Sequence, residues 1–202
     1  MLYSTQLFQG KGVFYMSATA AAAKQKWQAR DMAYVAIMSV VIAICSWISV
    51  PTTVPFTLQT FAVFLAVGVL GGRRGTFAVL VYILLGAVGL PVFAGFNGGL
   101  GILLGTTGGY IIGFLFSALL YWGMTRVLGT GTPVMVAAMV LGLVICYAFG
   151  TVWFMQVYVR TAQKAVTLGT ALGWCVIPFI VPDLVKIALA VVLTRLLKPH
   201  VR

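Results

Sequence analysis

Asp183 and Lys186 stand three residues apart inside an apolar run that reaches from Gly173 to Leu197. On a helix that spacing puts both side chains on one face, within reach of an ion pair. A charged side chain inside a membrane helix is expensive and marks a candidate functional site; a self-satisfied pair that fixes helix packing is the other reading. Pro182 directly before Asp183, and Pro178 a turn earlier, predict that the run is broken or begins afresh here. That would leave free N–H groups and a positive dipole end beside the carboxylate. The only other carboxylate is Asp31; glutamate is absent, and His200 is the single histidine. Paired-carboxylate chemistry, His/Asp metal clusters and a Ser-His-Asp triad are therefore excluded. The phosphate-binding signature G-x-x-x-x-G-K-[ST] is also absent. No catalytic residue, metal or cofactor is expected, and the chain reads as a non-enzyme.

The elements that must position this pair follow from composition. Of 202 residues, 62% are hydrophobic and 7% charged, against about a quarter charged in a soluble domain. Six apolar runs can be traced, at Met32–Ser49, Phe56–Leu70, Thr76–Leu90, Tyr110–Val127, Val134–Tyr158 and Gly173–Leu197. The first, fourth, fifth and sixth have roughly the 20 helical residues that a hydrocarbon core needs. The second and third are shorter, and they are expected to be two short spanning helices joined by a turn at Gly71–Gly75. A re-entrant hairpin would instead strand Arg73 and Arg74 in the bilayer. The fold class expected is an all-α membrane protein of six transmembrane helices. Residues 1–31 would form an N-terminal cytoplasmic segment, residues 32–198 a single membrane domain, and residues 199–202 a cytoplasmic tail. Residues 1–15 are expected to be poorly ordered, and no apolar stretch in the first 31 residues has signal-peptide character.

The net charge of +11 is distributed as membrane topology demands. With both termini inside, ten basic residues fall in inner segments (Lys11, Lys24, Lys26, Arg30, Arg73, Arg74, Arg126, Arg195, Lys198 and Arg202) and two, Arg160 and Lys164, in outer ones. This distribution argues for a multi-pass membrane protein and against nucleic acid as a partner; a bacterial plasma membrane is the expected location. Cys45, Cys146 and Cys175 lie within apolar runs without C-x-x-C spacing and read as buried free thiols.

The long outer segment Leu90–Gly109 carries no charge and holds Gly95, Gly98, Gly99, Gly101, Gly105, Gly108 and Gly109. It is too apolar for disorder and is expected to fold back as a lid over the outer end of the bundle. Asp183 lies at the same level. Asn97 in the loop and Gln59 at the start of the second helix offer amide donors and acceptors. Tyr110, Phe93, Phe96, Trp47 and Trp153 can supply apolar walls, although an aromatic alone is more often core packing or a lipid belt than a ligand contact. The site implied is an outward-facing pocket for a small molecule with an anionic end and an amide-like end. Along the first run, Ala29, Ala33, Ala36, Ser39, Val40 and Ala43 place small residues at helical spacing. Such a face serves packing within the protein or docking onto another membrane protein.

Four stretches carry a resemblance. They are Val54-Pro55-Phe56-Thr57-Leu58-Gln59, Gly86 through Gly95 (GAVGLPVFAG), Asn97-Gly98-Gly99 through Gly108-Gly109-Tyr110, and Ile180-Val181-Pro182-Asp183-Leu184-Val185-Lys186. In this order and spacing the chain resembles the BioY family, the biotin-binding S components of energy-coupling factor (ECF) transporters, over about residues 30–198. The resemblance implies capture of biotin outside the membrane. It also implies docking through Ala29, Ala33 and Ala36 onto a coupling membrane subunit with two ATPase subunits. Asp183 and Asn97 match positions that look like partners of the ureido ring. Lys186 matches a basic position near the ligand, and Gln59 and Tyr110 lie in the matching motifs. Phe93, Phe96, Gly98, Gly99 and Thr107 are expected as weaker contributors to the pocket wall or lid. Lys186 could neutralise the ligand's carboxylate or hold Asp183 in place. Thr106-Thr107 stands where the family commonly has Pro-Thr, and Ile111 where some members carry a basic residue. A stand-alone, ion-coupled transporter of a small organic anion is the alternative function.

Overall fold

The computed structural model of the protein describes residues 27–52 and 54–201. Most of the N-terminal segment, including the expected poor order of residues 1–15, lies outside the described residues. The described chain is all-α apart from one small hairpin. Helices α1 (Ala29–Trp47), α2 (Gln59–Leu70) and α3 (Gly72–Ala87) come first, with strands β1 (Ser49–Val50) and β2 (Phe56–Thr57) pairing antiparallel between α1 and α2. The short helix α4 (Leu100–Leu104), then α5 (Gly108–Leu128), α6 (Thr132–Ala162), α7 (Leu168–Cys175) and α8 (Ile177–Leu197) complete the order. Single 3-10 turns at Ala94–Phe96 and Lys198–His200 add to these.

Four described segments are long and apolar enough to cross a membrane: α1, α5, α6 and α8 with its C-terminal turn. The two short runs behave differently from one another. Helix α2 has 12 residues, about 18 Å at 1.5 Å per residue. All of them except Phe61 are buried. A helix that is apolar all round belongs inside a bundle, so α2 is a central helix whose length is not set by contact with lipid. Phe56 and Thr57, expected within it, are instead taken up by the hairpin. Helix α3 starts before its apolar run: the turn is Gly71 alone, at φ 80°, and Arg73 and Arg74 occupy the first turn of α3. Positive φ at that position is open to glycine at no steric cost.

Hydroxyl groups tie neighbouring helices together. Ser39 Oγ donates to Ala78 O at 2.8 Å, Thr76 Oγ1 to Ala118 O at 3.1 Å, and Ser117 Oγ to Gly142 O at 2.6 Å. Each is buried, and each lets two backbones approach closely, as small residues do in membrane bundles. Helix α1 begins at Ala29, ahead of its apolar run, because Asp31 completes its first turn. Asp31 Oδ2 accepts the backbone N–H of Gln28 at 3.1 Å, and Oδ1 pairs with Arg74 Nη2 at 2.9 Å.

Candidate binding site

Helix α8 runs unbroken through Pro182, so the expected fresh start beside Asp183 does not occur. The break falls at Val176 (φ −127°, ψ −58°), between α7 and α8. Pro182 only deprives the carbonyl of Pro178 of its i+4 donor, a loss that the rest of the helix tolerates. The N-terminus of the helix that carries Asp183 lies at Ile177, six residues earlier. Side chains hold it instead: Lys186 Nζ lies 2.8 Å from Oδ1, and the Tyr147 hydroxyl donates to Oδ2 at 2.6 Å. Lys186 Nζ also donates to the backbone carbonyl of Thr57 in the hairpin at 2.6 Å, and it sits 4.1 Å from the centre of the Phe56 ring. Asp183 and Lys186 are 3% and 5% exposed. A pair this deep is tolerated only when it is well partnered; here three separate elements share that work, and each carboxylate oxygen, with one donor already on it, can accept one more.

The pair lies on the wall of a cavity with about 860 Å³ of empty space, part of it open to solvent. Gln59, Asn97, Tyr110, Asp183 and Lys186, drawn from four distant parts of the sequence, all line it. Gln59, the first residue of α2, is buried and donates from Nε2 to the Tyr82 hydroxyl at 3.0 Å. Tyr110 enters from the first turn of α5 and shares a hydrogen bond with Thr151 Oγ1 at 3.1 Å. Asn97 is exposed at the mouth, its Nδ2 donating to Ala94 O at 2.9 Å; the amide carries a second N–H beyond this one. Phe93 and Thr107 also line the cavity. Phe93 is held edge-on to Tyr82 with ring centres 5.6 Å apart.

Several residues expected in the wall or lid do not line the cavity. Phe96, 64% exposed, turns outward and stacks on Trp47 with ring centres 4.9 Å apart, because Gly95 and Phe96 both adopt positive φ. Gly98 and Gly99 shape the loop without lining the cavity: Gly98 lies against the carbonyl of Leu90, where a Cβ would overlap it, and Gly99 has φ 95°. Trp47 and Trp153 are anchors for the loop. Trp47 Nε1 donates to Pro91 O at 2.8 Å, and Trp153 Nε1 to Gly105 O at 3.0 Å.

Tyr147, Thr57, Thr60 and Phe179 line the cavity and were not singled out from sequence, and Cys146 and Cys175 join them as free thiols. Tyr147 lies within a long apolar run with nothing nearby in sequence to link it to Asp183. Thr57 meets Lys186 through its main chain, which side-chain types do not reveal. The walls are mostly apolar, and the two charged groups that line the cavity, one of each sign, are already paired with each other. Chemically, such an arrangement suits a small, largely apolar molecule that offers hydrogen-bond donors to a fixed carboxylate.

Comparison with known proteins decides the class. The model of the BioY family matches residues 18–202. The chain belongs to the BioY family. It is 41% identical to the biotin transporter BioY of Thermotoga maritima over 84% of this chain and 96% of that one. It is 34% identical to the biotin transporter BioY2 of Lactococcus lactis subsp. cremoris, over 80% of this chain and 86% of that one. The fold is similar to the crystal structure of the S component for biotin from an ECF-type ABC transporter. The TM-score is 0.73 at 28% identity, covering 84% of this chain and 91% of that one. As a member of the BioY family the chain is a multi-pass membrane protein of the transporter class, not an enzyme, and the family indicates no cofactor.

Proposed function

We propose that this chain is the biotin-binding subunit of an ECF-type importer. It takes biotin into the cavity beside Asp183 from outside the cell and releases it inward with a coupling membrane subunit and two ATPase subunits. In this reading α2 and α3 complete a set of six spanning segments in the plasma membrane, with both termini cytoplasmic, in accord with ten inner against two outer basic residues. The observation that carries the reading is the oriented carboxylate of Asp183 in a mostly apolar cavity, in a chain so similar to named biotin transporters.

A ureido ring has two N–H donors, which a buried carboxylate accepts strongly, and a carbonyl that an amide such as that of Asn97 can meet. Gln59 and Tyr110 form the adjoining wall, and residues 90–107 form the lid. Because Lys186 already serves Asp183 Oδ1 and Thr57 O, its role is to hold Asp183 rather than to clamp the ligand's carboxylate. The same commitment of Asp183 leaves no spare carboxylate in the cavity for ion coupling, which counts against the stand-alone transporter.

Native mass spectrometry of the purified chain, with and without biotin, tests the proposal. One biotin per chain is expected, and Asp183→Asn should weaken binding by at least ~1.5 kcal/mol, the loss of a charge-assisted hydrogen bond. A folded chain that binds no biotin would reopen the substrate, and unchanged affinity in the variant would remove Asp183 from the site.

A further inference from the structure

A second cavity, with about 780 Å³ of empty space, part of it open to solvent, lies at the opposite end of the bundle, where the starts of α1 and α3 meet the end of α5. Trp27, Asp31, Arg73, Arg74, Trp122 and Arg126 line it. Three guanidinium groups against one carboxylate leave an excess of two positive charges. Asp31 is 4% exposed and engages Arg74, so its charge is committed within the wall. Arg73 lies with its guanidinium carbon 5.2 Å from the centre of the Trp27 ring. Arg126, in the last turn of α5, is exposed and has no ion-pair partner among the described residues.

Trp27 is shared with an apolar groove on the flank of the bundle, lined by Met32, Val35, Ala36, Phe77 and Val81. The Trp27 and Phe77 rings meet edge to face with centres 4.9 Å apart, and Met32 is 57% exposed. A cationic cavity at the level of two tryptophans, leading into an apolar track between two helices, joins two kinds of recognition in one place. Tryptophans favour the headgroup level of a bilayer, and basic pockets between membrane helices bind anionic headgroups.

We propose that this is a binding site for an anionic phospholipid, with its phosphate in the cavity facing Arg126 and one acyl chain along the groove between α1 and α3. A free phosphate ion would use the cavity and leave the groove without a role; a phospholipid accounts for both.

Native mass spectrometry of the full chain in detergent tests the proposal with dioleoyl phosphatidylglycerol, dioleoyl phosphatidylcholine, dihexanoyl phosphatidylglycerol and inorganic phosphate as separate additives. Retention of the long-chain anionic lipid is expected to exceed that of the zwitterionic one by about fivefold or more, the worth of one cation near an anionic surface. Arg126→Gln should lower that retention by about fivefold. Arg160→Gln, an exposed control near the other end of α6, should not, and neither variant should change biotin binding. Equal retention of the two long-chain lipids would overturn the proposal, as would an Arg126→Gln chain, folded by circular dichroism, that retains lipid like the parent. Displacement of the long-chain lipid by inorganic phosphate or by the dihexanoyl lipid at equal concentration would make this an ion site and remove the acyl groove.

Discussion

Asp183 is held at both carboxylate oxygens by groups that no single segment supplies: Lys186 from its own helix and Tyr147 from α6. Removing one member of a buried pair is far more disruptive than replacing the whole, because the partner is left charged and unsatisfied. Tyr147 is the gentler probe, since Tyr147→Phe keeps the ring and deletes only the donor to Oδ2. The variant is expected to fold and to bind biotin about 1 kcal/mol more weakly by isothermal titration calorimetry, the usual worth of one hydrogen bond. Unchanged or tighter binding would mean that the ligand displaces the hydroxyl rather than using a carboxylate it has oriented. The charged pair itself was legible in the sequence because an aspartate and a lysine stand out against an apolar run. Tyr147 was not, since its link to Asp183 spans 36 residues and exists only once α6 and α8 are packed.

At the scale of elements, the loop from Leu90 to Thr107 reaches the cavity because the helices beneath it have room for aromatic rings. Phe93 rests directly on Gly86 of α3, where any Cβ would overlap its ring, whereas the Cβ of a residue replacing Gly123 of α5 would meet open space. Gly86→Ala is therefore expected to destabilise the chain by about 1–3 kcal/mol through overpacking, and to loosen biotin binding as Phe93 is expelled. Gly123→Ala should be neutral or stabilising, because alanine favours a helix interior over glycine. Thermal unfolding in detergent of the two variants side by side checks this; equal melting temperatures would show that Phe93 is not seated on α3. The apolar character and glycine content of the loop pointed to a folded segment rather than a disordered one, and its Phe93, Asn97 and Thr107 line the cavity. Its anchors were not readable: Trp47 and Trp153 bind main-chain carbonyls, and tryptophans in such positions look the same as lipid-belt residues. Helix boundaries were misread where polar and small residues extend a helix beyond its apolar run, as at Arg73 and Arg74. Pro182 misled for the opposite reason, because a proline inside a membrane helix need not end it.

Over the whole molecule the two ends of the bundle are chemically distinct, one lined by an ion pair and the other rich in arginine. Helix α1 runs between them, and its small residues divide into two sets. Ser39 and Ala43 are buried, with Ser39 bonded to α3, while Ala29, Ala33, Ala36 and Val40 are exposed. The sequence could not separate internal packing from docking along this helix, because one periodic stripe serves both purposes; the fold assigns the buried set to packing. The exposed set leaves a narrow face of small side chains, against which another membrane helix can approach closely. If a coupling subunit docks there, Ala33→Trp will fill the face with a ring while disturbing nothing inside the bundle. Co-purification of the coupling and ATPase subunits should then be lost, while one biotin per chain is still bound by the variant expressed alone. Loss of biotin binding in the variant would return Ala33 to the internal packing of the bundle. Undiminished co-purification would place the docking surface on another helix.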